Sequence, residues 1–407
     1  MTATLPFLKS LFPPSLHDRV LLVGGTVRDM LLGTESQDID LVAALSPDEL
    51  LALGFRLVEA TSAATIYFKH HPEFGKIEVT RIDSMDDLED DLLRRDFTIN
   101  AMAMSLSGVR CDPLGGEADL KRGTLRVCSD YSFSDDPLRI FRAFRFEADG
   151  WSMAPESAEL IRGEDWSDAF GAMPVERFSN EMLKALARKT PERFFQRMIE
   201  FNVGAEILPE IFRMPQVPAG PPQHHPEGDL FTHSIQVLQR VAAVTDDPLA
   251  RFCALFHDLG KLATDPALYP RHHGHDDAGF EMAAAFCNRL RLPSTYCKSL
   301  AWISSLHGKA NKWDELRDSS KIKMAELAIK ADIAGILPLV SAADKSGGLP
   351  MAGWDYAVRV AGMSSRELGI DQEKLEAMPI ENRPPFILQK RVEVMRERVV
   401  PIHHTFA

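Results

Sequence analysis

The sequence lacks the features of a secreted, disulfide-bonded or membrane-spanning protein. Its five cysteines are odd in number and include no CxxC pair, which argues against a disulfide framework and against a structural zinc site. No apolar run is long enough to cross a bilayer, and the N-terminus has no basic start followed by a long apolar core. We therefore expect a cytoplasmic protein in a reducing compartment, with no membrane partner.

The sequence also has no excess of positive charge. Lys and Arg number 46 against 59 Asp and Glu, and the net charge of -13 excludes a generally basic surface for nucleic acid. Any polyanionic partner must therefore be bound by a local group of basic side chains. The chain has 407 residues, which is too long for one compact core, so several domains are expected.

The hydrophobic pattern changes along the chain. The runs that predict strands are "RVLLVGG", "DIDLVAA", "ATIYFKHH" and "KIEVTRI", and "VRDMLLG" predicts a helix that ends at Gly33. From Asp136 onward apolar residues recur at helical spacing, and the proline-rich segment 214–228 indicates a linker. The predicted fold is an α/β head with a mixed sheet and flanking helices, followed by all-α regions. The predicted limits are 1–135 for the head, 136–213 for a helical neck, 229–350 for a second helical domain and 351–407 for a helical tail.

Two aspartates occupy an otherwise apolar strand. Asp38 and Asp40 are two residues apart, so their side chains are expected on the same face. Two adjacent carboxylates repel each other, and Mg²⁺ would relieve the repulsion while leaving positions for water and substrate phosphates. Glu78, in the strand "KIEVTRI", is the candidate third carboxylate. The alternatives are a surface turn for the aspartate pair and an exposed strand position for Glu78.

A glycine pair precedes the aspartates, in "GGTVRD". At a strand-to-helix turn, Gly24 and Gly25 would expose backbone N–H groups to an anion, and Arg28 would add a fork for phosphate. The neighbouring Asp29 is included in this predicted nucleotide site. The turn is neither a Walker A sequence nor GxGxxG. A phosphate-binding turn followed by a metal-binding pair predicts phosphoryl or nucleotidyl transfer assisted by metal ions.

Four motifs in series resemble those of one enzyme family. They are "GGTVRDMLLG....DIDLV", "LEDDLLRRDFTINAM", "DPLGGEADLKRGTLRV" and "DDPLRIFRAFRF". Together they resemble the class II tRNA nucleotidyltransferases, the bacterial family of CCA-adding enzymes and poly(A) polymerases. The resemblance implies that nucleotide-binding residues are Arg94, Arg95, Asp96, Asn100, Asp136, Arg139 and Arg142. It implies that Asp96 reads the ribose, that Asp136 and Arg139 form an amino-acid template for the base, and that Arg142 assists.

The chain departs from the family pattern in two places. Asp135 precedes Asp136 where the family usually has Glu, so the fine geometry of the template stays open. Only "IDSMDDLEDDLL" separates Arg81 from Arg94, whereas members that add the terminal A generally carry a long flexible loop there. The short connection resembles that of CC-adding members, which hand over to a separate A-adding enzyme. A simple loop deletion is the alternative, because loops vary freely in length.

The later helical domain contains a cluster of histidines. The order of His233, then His257-Asp258, then a later Asp resembles the HD phosphohydrolase superfamily. The implied metal ligands are His233, His257, Asp258 and Asp344. Imidazole and carboxylate ligands suit a divalent transition metal such as Ni²⁺ or Mn²⁺, with magnesium as the alternative. The predicted phosphate contacts are Lys261, His273 and His275. The alternative is a degenerate HD domain that only holds RNA.

The leading hypothesis is a template-independent tRNA nucleotidyltransferase that uses Mg²⁺, CTP and ATP. Because the chain is acidic overall, tRNA is expected to bind to a restricted basic surface. The residues predicted for this surface are Arg145, Lys184 and Arg188, together with Arg139 and Arg142. A poly(A) polymerase is an alternative, although a basic tail would be expected and the isoelectric point is about 5.5. Two further hypotheses are an HD phosphohydrolase with an inactive head and a non-catalytic tRNA-binding protein.

Overall fold

The structure is a computed structural model that describes residues 3–34, 38–58, 65–345 and 351–397. It divides into two compact units, Met1–Trp166 and Ser167–Ala407. The division falls inside the predicted neck. The five-part division that the sequence suggests stays a prediction.

A mixed sheet forms the centre of the first unit. The strands of the first unit are β1 (Val20–Val23), β2 (Ile39–Ala43), β3 (Arg56–Val58), β4 (Thr65–His71), β5 (Gly75–Arg81), β6 (Ala103–Ser105), β7 (Arg110–Cys111), β8 (Thr124–Leu125) and β9 (Ser152–Met153). Strands β8 and β9 form a separate short pair. The seven strands of the main sheet lie in the order β3-β4-β5-β2-β1-β6-β7. Among the described residues of this sheet, β2 and β5 pair in parallel and the other neighbouring strands pair antiparallel.

The two faces of this sheet pack into different apolar clusters. On β2, Ile39 and Leu41 belong to one cluster, whereas Val42 belongs to the other. Because side chains alternate along a strand, Asp40 shares the face of Val42. The same alternation on β5 puts Glu78 on that face, since its neighbours pack on the opposite side. The two carboxylates therefore lie on one side of the sheet.

The first unit also contains helices, several of which contribute side chains to the two apolar clusters on the sheet. They are α1 (Thr4–Leu11), α2 (Gly24–Leu32), α3 (Pro47–Ala52), α4 (Leu88–Leu93), α5 (Gly116–Arg122), α6 (Ser132–Asp135), α7 (Leu138–Glu147) and α8 (Pro155–Arg162). Helix α2 ends as predicted at Gly33, whose φ of +74° is a left-handed conformation that glycine adopts without strain. The predicted α/β head with a mixed sheet is confirmed.

The short connection between β5 and the "RRDF" motif is folded. It contains a 3₁₀ helix, Met85–Asp87, and then α4. Ser84 and Asp87 cap the start of this segment reciprocally, which satisfies backbone N–H groups there. Leu92 of α4 is completely buried in the same cluster as Val42. The connection is thus a packed element on the carboxylate side of the sheet.

The second unit is helical, as predicted. Its helices are α9 (Ser167–Ala172), α10 (Val175–Leu186), α11 (Glu192–Phe201), α12 (Pro209–Arg213), α13 (Leu230–Ala242), α14 (Pro248–Phe256), α15 (His275–Arg289), α16 (Ser294–Ala310), α17 (Asp318–Ala331), α18 (Leu337–Asp344), α19 (Trp354–Gly362), α20 (Gln372–Ala377) and α21 (Arg383–Glu397). Within the described ranges, no helix is both long and apolar enough to cross a bilayer.

The proline-rich segment 214–228 has a defined conformation in the second unit. It begins with a 3₁₀ helix, Met214–Gln216. The carbonyl of Val217 accepts the N–H of Leu230 at 2.8 Å, so the segment folds back against the start of α13. The segment predicted as a linker is therefore held in place by backbone hydrogen bonds.

Candidate functional site

The strand register brings the predicted carboxylates of the head together. Asp40 on β2 is the register partner of Glu78 on β5, and Asp38 lies just before β2. Burial raises the pKa of Asp40; Arg95 opposes this rise, whereas the negative charges of Glu78 and Asp38 add to it. A raised pKa means that the negative charge lacks full compensation. These oxygen donors fit Mg²⁺, which prefers carboxylate and water ligands.

A lysine beside the carboxylates was not identified from the sequence. Lys76 forms an ion pair with Glu78, two residues away on the same face of β5. Its hydrogen bond to Glu78 is the main cause that raises the pKa of Lys76, and the charges of Asp38 and Asp40 contribute. The available signal was the spacing of two residues within a strand, which puts both side chains on one face.

The glycine pair allows a close approach to the carboxylates. Gly24 has a φ of +66°, and a Cβ there would lie 3.0 Å from a guanidinium nitrogen of Arg95 and 3.3 Å from Oδ2 of Asp40. A Cβ on Gly25 would lie 3.4 Å from Nη2 of Arg28. Glycine is therefore needed at Gly24 both for its backbone conformation and for space. As a result, α2 begins directly beside the carboxylates.

Thr26 fixes the backbone around the aspartate pair. Its hydroxyl accepts the N–H of Asp40 at 2.8 Å and donates to the carbonyl of Asp38 at 3.3 Å. Thr26 was not among the residues predicted from the sequence, although it follows the glycine pair in "GGT". The first turn of α2 thus holds the carboxylate-bearing segment by a side chain as well as by packing.

Three of the predicted motifs meet in one hydrogen-bonded chain. Arg28 donates to Oδ1 of Asn100 at 2.6 Å, and Asn100 donates to Oδ1 of Asp96 at 3.0 Å. Arg142 donates two hydrogen bonds, at 2.9 Å and 2.6 Å, to Oδ2 of Asp96. Arg28 also pairs with Asp29 at 2.7 Å. Although burial raises the pKa of Asp96, the charge of Arg142 and the hydrogen bonds outweigh it, so the pKa is lowered.

The predicted base template lies against the "RRDF" motif. Arg139 donates to the carbonyl and hydroxyl of Ser132, both at 3.0 Å, and to the carbonyl of Arg94 at 2.5 Å. Asp136 accepts the N–H of Leu138 at 3.3 Å. The guanidinium of Arg139 is therefore oriented by three oxygen acceptors next to the residues that the resemblance assigns to nucleotide binding.

The basic residues predicted for RNA binding occur in both units. In the first unit, the guanidinium of Arg145 lies over the ring of Phe146, 4.7 Å from its centre. In the second unit, Lys184 and Arg188 occupy the end of α10 and its continuation, and Lys184 pairs with Glu181 at 3.5 Å. Their role in RNA binding stays a prediction.

The four predicted HD ligands converge in the second unit. Nε2 of His233 lies 3.0 Å from Oδ1 of Asp344. Nε2 of His257 lies 3.2 Å from Oδ2 of Asp258 and 3.3 Å from Oδ1 of Asp344. The four ligand atoms all lie within 4.8 Å of one another. Helices α13, α14 and α18 bring these residues together from well-separated parts of the sequence.

The hydrogen bonds of the histidine rings favour a metal at this cluster. In each of the four histidine rings, Nδ1 donates a hydrogen bond to an oxygen of the protein. For His233 the acceptor is Oε1 of Glu227, at 2.7 Å. For the other three rings it is a backbone carbonyl: that of Ala254 for His257 at 2.8 Å, of His272 for His275 at 2.6 Å and of Ser304 for His307 at 2.9 Å. A neutral ring that donates from Nδ1 has a lone pair on Nε2, which here faces carboxylate oxygens. Burial lowers the pKa of His257, but Asp258 and Asp344 outweigh it and raise the value to about 10. The negative charge of the two aspartates therefore favours a cation at this site, and a divalent ion bound by imidazole and carboxylate would supply the positive charge.

A second group of donors lies beside the first and shares Asp258. Oδ1 of Asp258 is 3.3 Å from Nε2 of His307 and 3.4 Å from Nε2 of His275. Oδ1 of Asp276 is 3.3 Å from the same nitrogen of His275. The Oδ1 atoms of Asp258 and Asp276 are both buried, and within the described residues these long contacts do not meet the geometry of a hydrogen bond. His307 was not identified from the sequence, whereas His273, a predicted phosphate contact, is exposed.

Lys261, also predicted to contact phosphate, is engaged by protein groups. Its ammonium lies 2.6 Å from Oδ2 of Asp258 and donates to the carbonyl of Ala219 at 2.7 Å. The neighbouring His272 is buried and contacts the carbonyl of Pro218 at 2.8 Å. Both residues therefore connect the HD cluster to the proline-rich segment.

Comparison with protein families matches this architecture. The description "Poly A polymerase head domain" matches residues 20–83 and 56–126, and "HD domain" matches residues 230–334. A third description, "Probable RNA and SrmB-binding site of polymerase A", matches residues 153–214. The mixed-sheet head with its carboxylates thus defines a nucleotidyltransferase that also carries an HD domain.

Comparison with individual proteins identifies the family. The chain is 37% identical over 325 residues to the multifunctional CCA protein of Methylococcus capsulatus, covering 76% of each chain. It is 37% identical over 320 residues to that of Chromobacterium violaceum, covering 75% of this chain and 78% of the relative. The fold matches the Bacillus stearothermophilus CCA-adding enzyme in complex with CTP at a TM-score of 0.61 and 22% identity, covering 97% and 93% of the two chains. The chain belongs to the family of multifunctional CCA proteins.

Proposed function

We propose that this chain adds nucleotides to the 3′ end of tRNA without a nucleic-acid template, with CTP as its first substrate. The observation that carries this proposal is the register of Asp40 and Glu78, two carboxylates side by side next to the Gly24 turn. Support also comes from the relatives, which are named as CCA proteins, and from the structural relative with CTP.

The residues of the head suit an in-line transfer. The 3′-hydroxyl oxygen of tRNA attacks the α-phosphorus and loses its proton to solvent. A new P–O bond forms while the bond to the bridging oxygen breaks, and pyrophosphate leaves. Asp38, Asp40 and Glu78 would hold Mg²⁺, which when bound activates the hydroxyl and stabilises the leaving group. Arg28, oriented by Asn100, would bind the triphosphate.

The neighbouring residues suit selection of the base. Asp136 offers acceptor oxygens and Arg139 offers a fork of donors, which together can pair with the edge of C or A. Ser132 and the carbonyl of Arg94 hold Arg139 in a defined orientation. Arg142 would assist indirectly, because it anchors Asp96. A preoriented guanidinium loses less side-chain entropy when it binds the base.

The short connection before "RRDF" favours addition of CC without the terminal A. Residues 82–93 form a capped 3₁₀ turn and a helix anchored by buried Leu92. A packed connection of this kind supports a nucleotide site of fixed shape. Such a site suits selection of C alone better than selection of C and then A. ATP would then be a substrate of a separate A-adding enzyme that acts next.

The proposal is tested by incorporation of CTP and ATP, separately and together, on three tRNAs. These tRNAs lack the whole CCA end, end after the first C or end after the second C. Labelled products are resolved to single nucleotides, and an unstructured RNA serves as the control. Addition of two C residues and no A supports the proposal. Addition of the full CCA end would contradict the proposed lack of A addition but would still support nucleotide addition to tRNA. A-tailing of unstructured RNA would instead indicate a poly(A) polymerase.

We propose a second activity, metal-dependent hydrolysis of phosphoesters, for the HD domain. The observation that favours it is the pair of largely buried donor groups that share Asp258, each with imidazole nitrogens facing carboxylate oxygens. His233, His257, Asp258 and Asp344 would hold a divalent ion such as Ni²⁺ or Mn²⁺. Such an ion supplies a bound water of lowered pKa as the nucleophile and stabilises charge on the phosphoester oxygens.

This second activity is tested with 2′,3′-cyclic AMP and a generic phosphodiester, with Ni²⁺, Mn²⁺ or Mg²⁺ added separately. Hydrolysis that disappears in His257→Ala but persists in Asp40→Asn supports a catalytic HD domain. Tight metal binding without hydrolysis of any substrate would favour a domain that only holds RNA. Hydrolysis without nucleotide incorporation would favour an inactive head.

A further inference from the structure

We propose that Glu227 is the positioning residue that fixes His233 as a metal ligand, which makes the proline-rich segment part of the HD centre. This inference rests on the metal-dependent function proposed above for the HD domain. Glu227 lies in the segment 214–228, which its composition predicts to be a linker.

The carboxylate of Glu227 determines the orientation of the His233 ring. Its Oε1 atom accepts a hydrogen bond from Nδ1 of His233 at 2.7 Å, and the Glu227 side chain is only 10% exposed. The opposite ring nitrogen, Nε2, then points toward Oδ1 of Asp344 at 3.0 Å. His225 donates from its own Nδ1 to the same Oε1 at 2.9 Å, which holds the carboxylate from a second side.

His233 differs from the other histidines of the cluster in how it is oriented. The rings of His257, His275 and His307 each donate to a backbone carbonyl three residues earlier in the chain. Those bonds form locally. Only His233, among the four described rings, takes its orientation from a side chain of another segment. Its position as a ligand therefore depends on Glu227.

The segment that carries Glu227 is itself anchored to the HD cluster. Lys261 donates to the carbonyl of Ala219, and His272 contacts the carbonyl of Pro218. A Cβ on Gly220 would lie 2.3 Å from Cδ2 of His225, so the segment packs closely on that ring. These contacts hold Glu227 in place before any ion binds, which is the requirement for a residue that positions a ligand.

The chemical consequence is a stronger metal ligand. A carboxylate acceptor keeps the proton on Nδ1 and leaves the lone pair on Nε2 free to bind a metal ion. Loss of such a partner typically weakens metal binding by about 10- to 100-fold. A glutamine at this position still offers a carbonyl oxygen to Nδ1 but carries no charge, so its effect should be intermediate.

The test measures binding of Ni²⁺ to the full-length chain by isothermal titration calorimetry. Asp38→Ala and Asp40→Ala are present throughout, so that the carboxylates of the head do not contribute. We expect the dissociation constant to rise by about 10- to 100-fold in Glu227→Ala and by less in Glu227→Gln. His224→Ala, at an exposed position of the same segment, is the matched control and should bind Ni²⁺ like the parent. Circular dichroism without metal checks the fold of every variant.

A double-mutant cycle separates positioning from a general structural role. If Glu227 acts through His233, Glu227→Ala should not weaken Ni²⁺ binding further when His233 is already alanine. A further loss in that background, an unchanged affinity in Glu227→Ala, or an equal loss in His224→Ala would overturn the inference. A parent chain that binds no Ni²⁺ would instead contradict the proposed metal-dependent function.

Discussion

At the scale of single residues, the head contains a glycine whose backbone conformation and close packing disfavour any side chain at that position. Gly24 combines a φ of +66° with close contact to Arg95 and Asp40. Thr26 then holds the backbone of the aspartate pair. The first turn of α2 and the carboxylates are thus packed closely together, so an added methyl group at Gly24 would press on the side chains of Arg95 and Asp40.

We predict that Gly24→Ala lowers nucleotide incorporation strongly. The left-handed backbone should cost about 1 kcal/mol in unfolding free energy, and the added Cβ would push against Asp40 and Arg95. Gly33→Ala is the matched control, because Gly33 also has a positive φ, at the other end of α2, but has open space around it. Both variants should lose stability in urea because of the left-handed backbone, while only Gly24→Ala loses activity. Equal loss of activity in the two would contradict this interpretation.

Asp96 gives a prediction about pH. Its pKa is lowered in the folded state, chiefly because Arg142 and its hydrogen bonds outweigh burial. The ionised carboxylate of Asp96 therefore stabilises the fold fully when the pH is above about 3.9, the pKa of an aspartate in the unfolded chain. This contribution is lost as the pH falls through the lower pKa that Asp96 has in the folded protein. Asp96→Asn should cost about 1 to 3 kcal/mol at pH 7, and the difference from the parent should shrink below about pH 4.

The measurement is the unfolding free energy of both proteins in urea between pH 3 and 7. Asp130→Asn, at an exposed position, is the control and should change the free energy by less than about 0.5 kcal/mol. A difference between Asp96→Asn and the parent that stays constant over the whole pH range would exclude the ionised carboxylate as the source of the stabilisation.

At the scale of elements, the short connection between β5 and "RRDF" is a packed part of the head. Two adjacent leucines of α4 have opposite surroundings, since Leu92 is fully buried and Leu93 is 38% exposed. The sequence "DDLLRR" does not say which leucine faces the core. The packing of α4 against the carboxylate face of the sheet decides it.

We predict that Leu92→Ala destabilises the first unit by about 2 to 5 kcal/mol, as expected for a buried leucine, and lowers nucleotide incorporation. Leu93→Ala should change stability by less than about 0.5 kcal/mol and leave incorporation unchanged. Chemical denaturation and the tRNA assay measure the two effects. If Leu92→Ala lost stability without any loss of incorporation below its unfolding range, α4 would be only a structural support.

At the scale of the whole molecule, the two candidate centres belong to different compact units. The carboxylates of the head lie within Met1–Trp166, and the histidine cluster lies within Ser167–Ala407. Their ligand types also differ, since the head offers oxygen donors whereas the second unit offers imidazole together with carboxylate. Two chemistries with different metal preferences are therefore expected.

We predict that the two activities can be removed independently. Asp40→Asn should lower nucleotide incorporation by about 100-fold or more and leave phosphoester hydrolysis unchanged. His257→Ala should abolish hydrolysis and leave incorporation unchanged. Both assays are run on each full-length variant with its own metal added. If one substitution removed both activities while the fold was retained, the two centres would not be independent.

Local sequence determined much of this protein. The strand-to-helix turn at the glycine pair, the helix ending at Gly33 and the spacing of Asp38 and Asp40 follow from backbone conformation and strand alternation, which act over a few residues. The α/β head and the helical remainder were predicted for the same reason, and the family resemblance lay in contiguous motifs.

Tertiary structure decided what depends on contacts between distant segments. The pairing of Asp40 with Glu78 needs the register of two parallel strands, and the chain from Arg28 to Arg142 needs three motifs to converge. His307 joins the HD cluster through the packing of α16, and Glu227 reaches His233 from a segment whose composition alone predicts a linker. Such contacts form between residues far apart in the chain, so no local pattern records them.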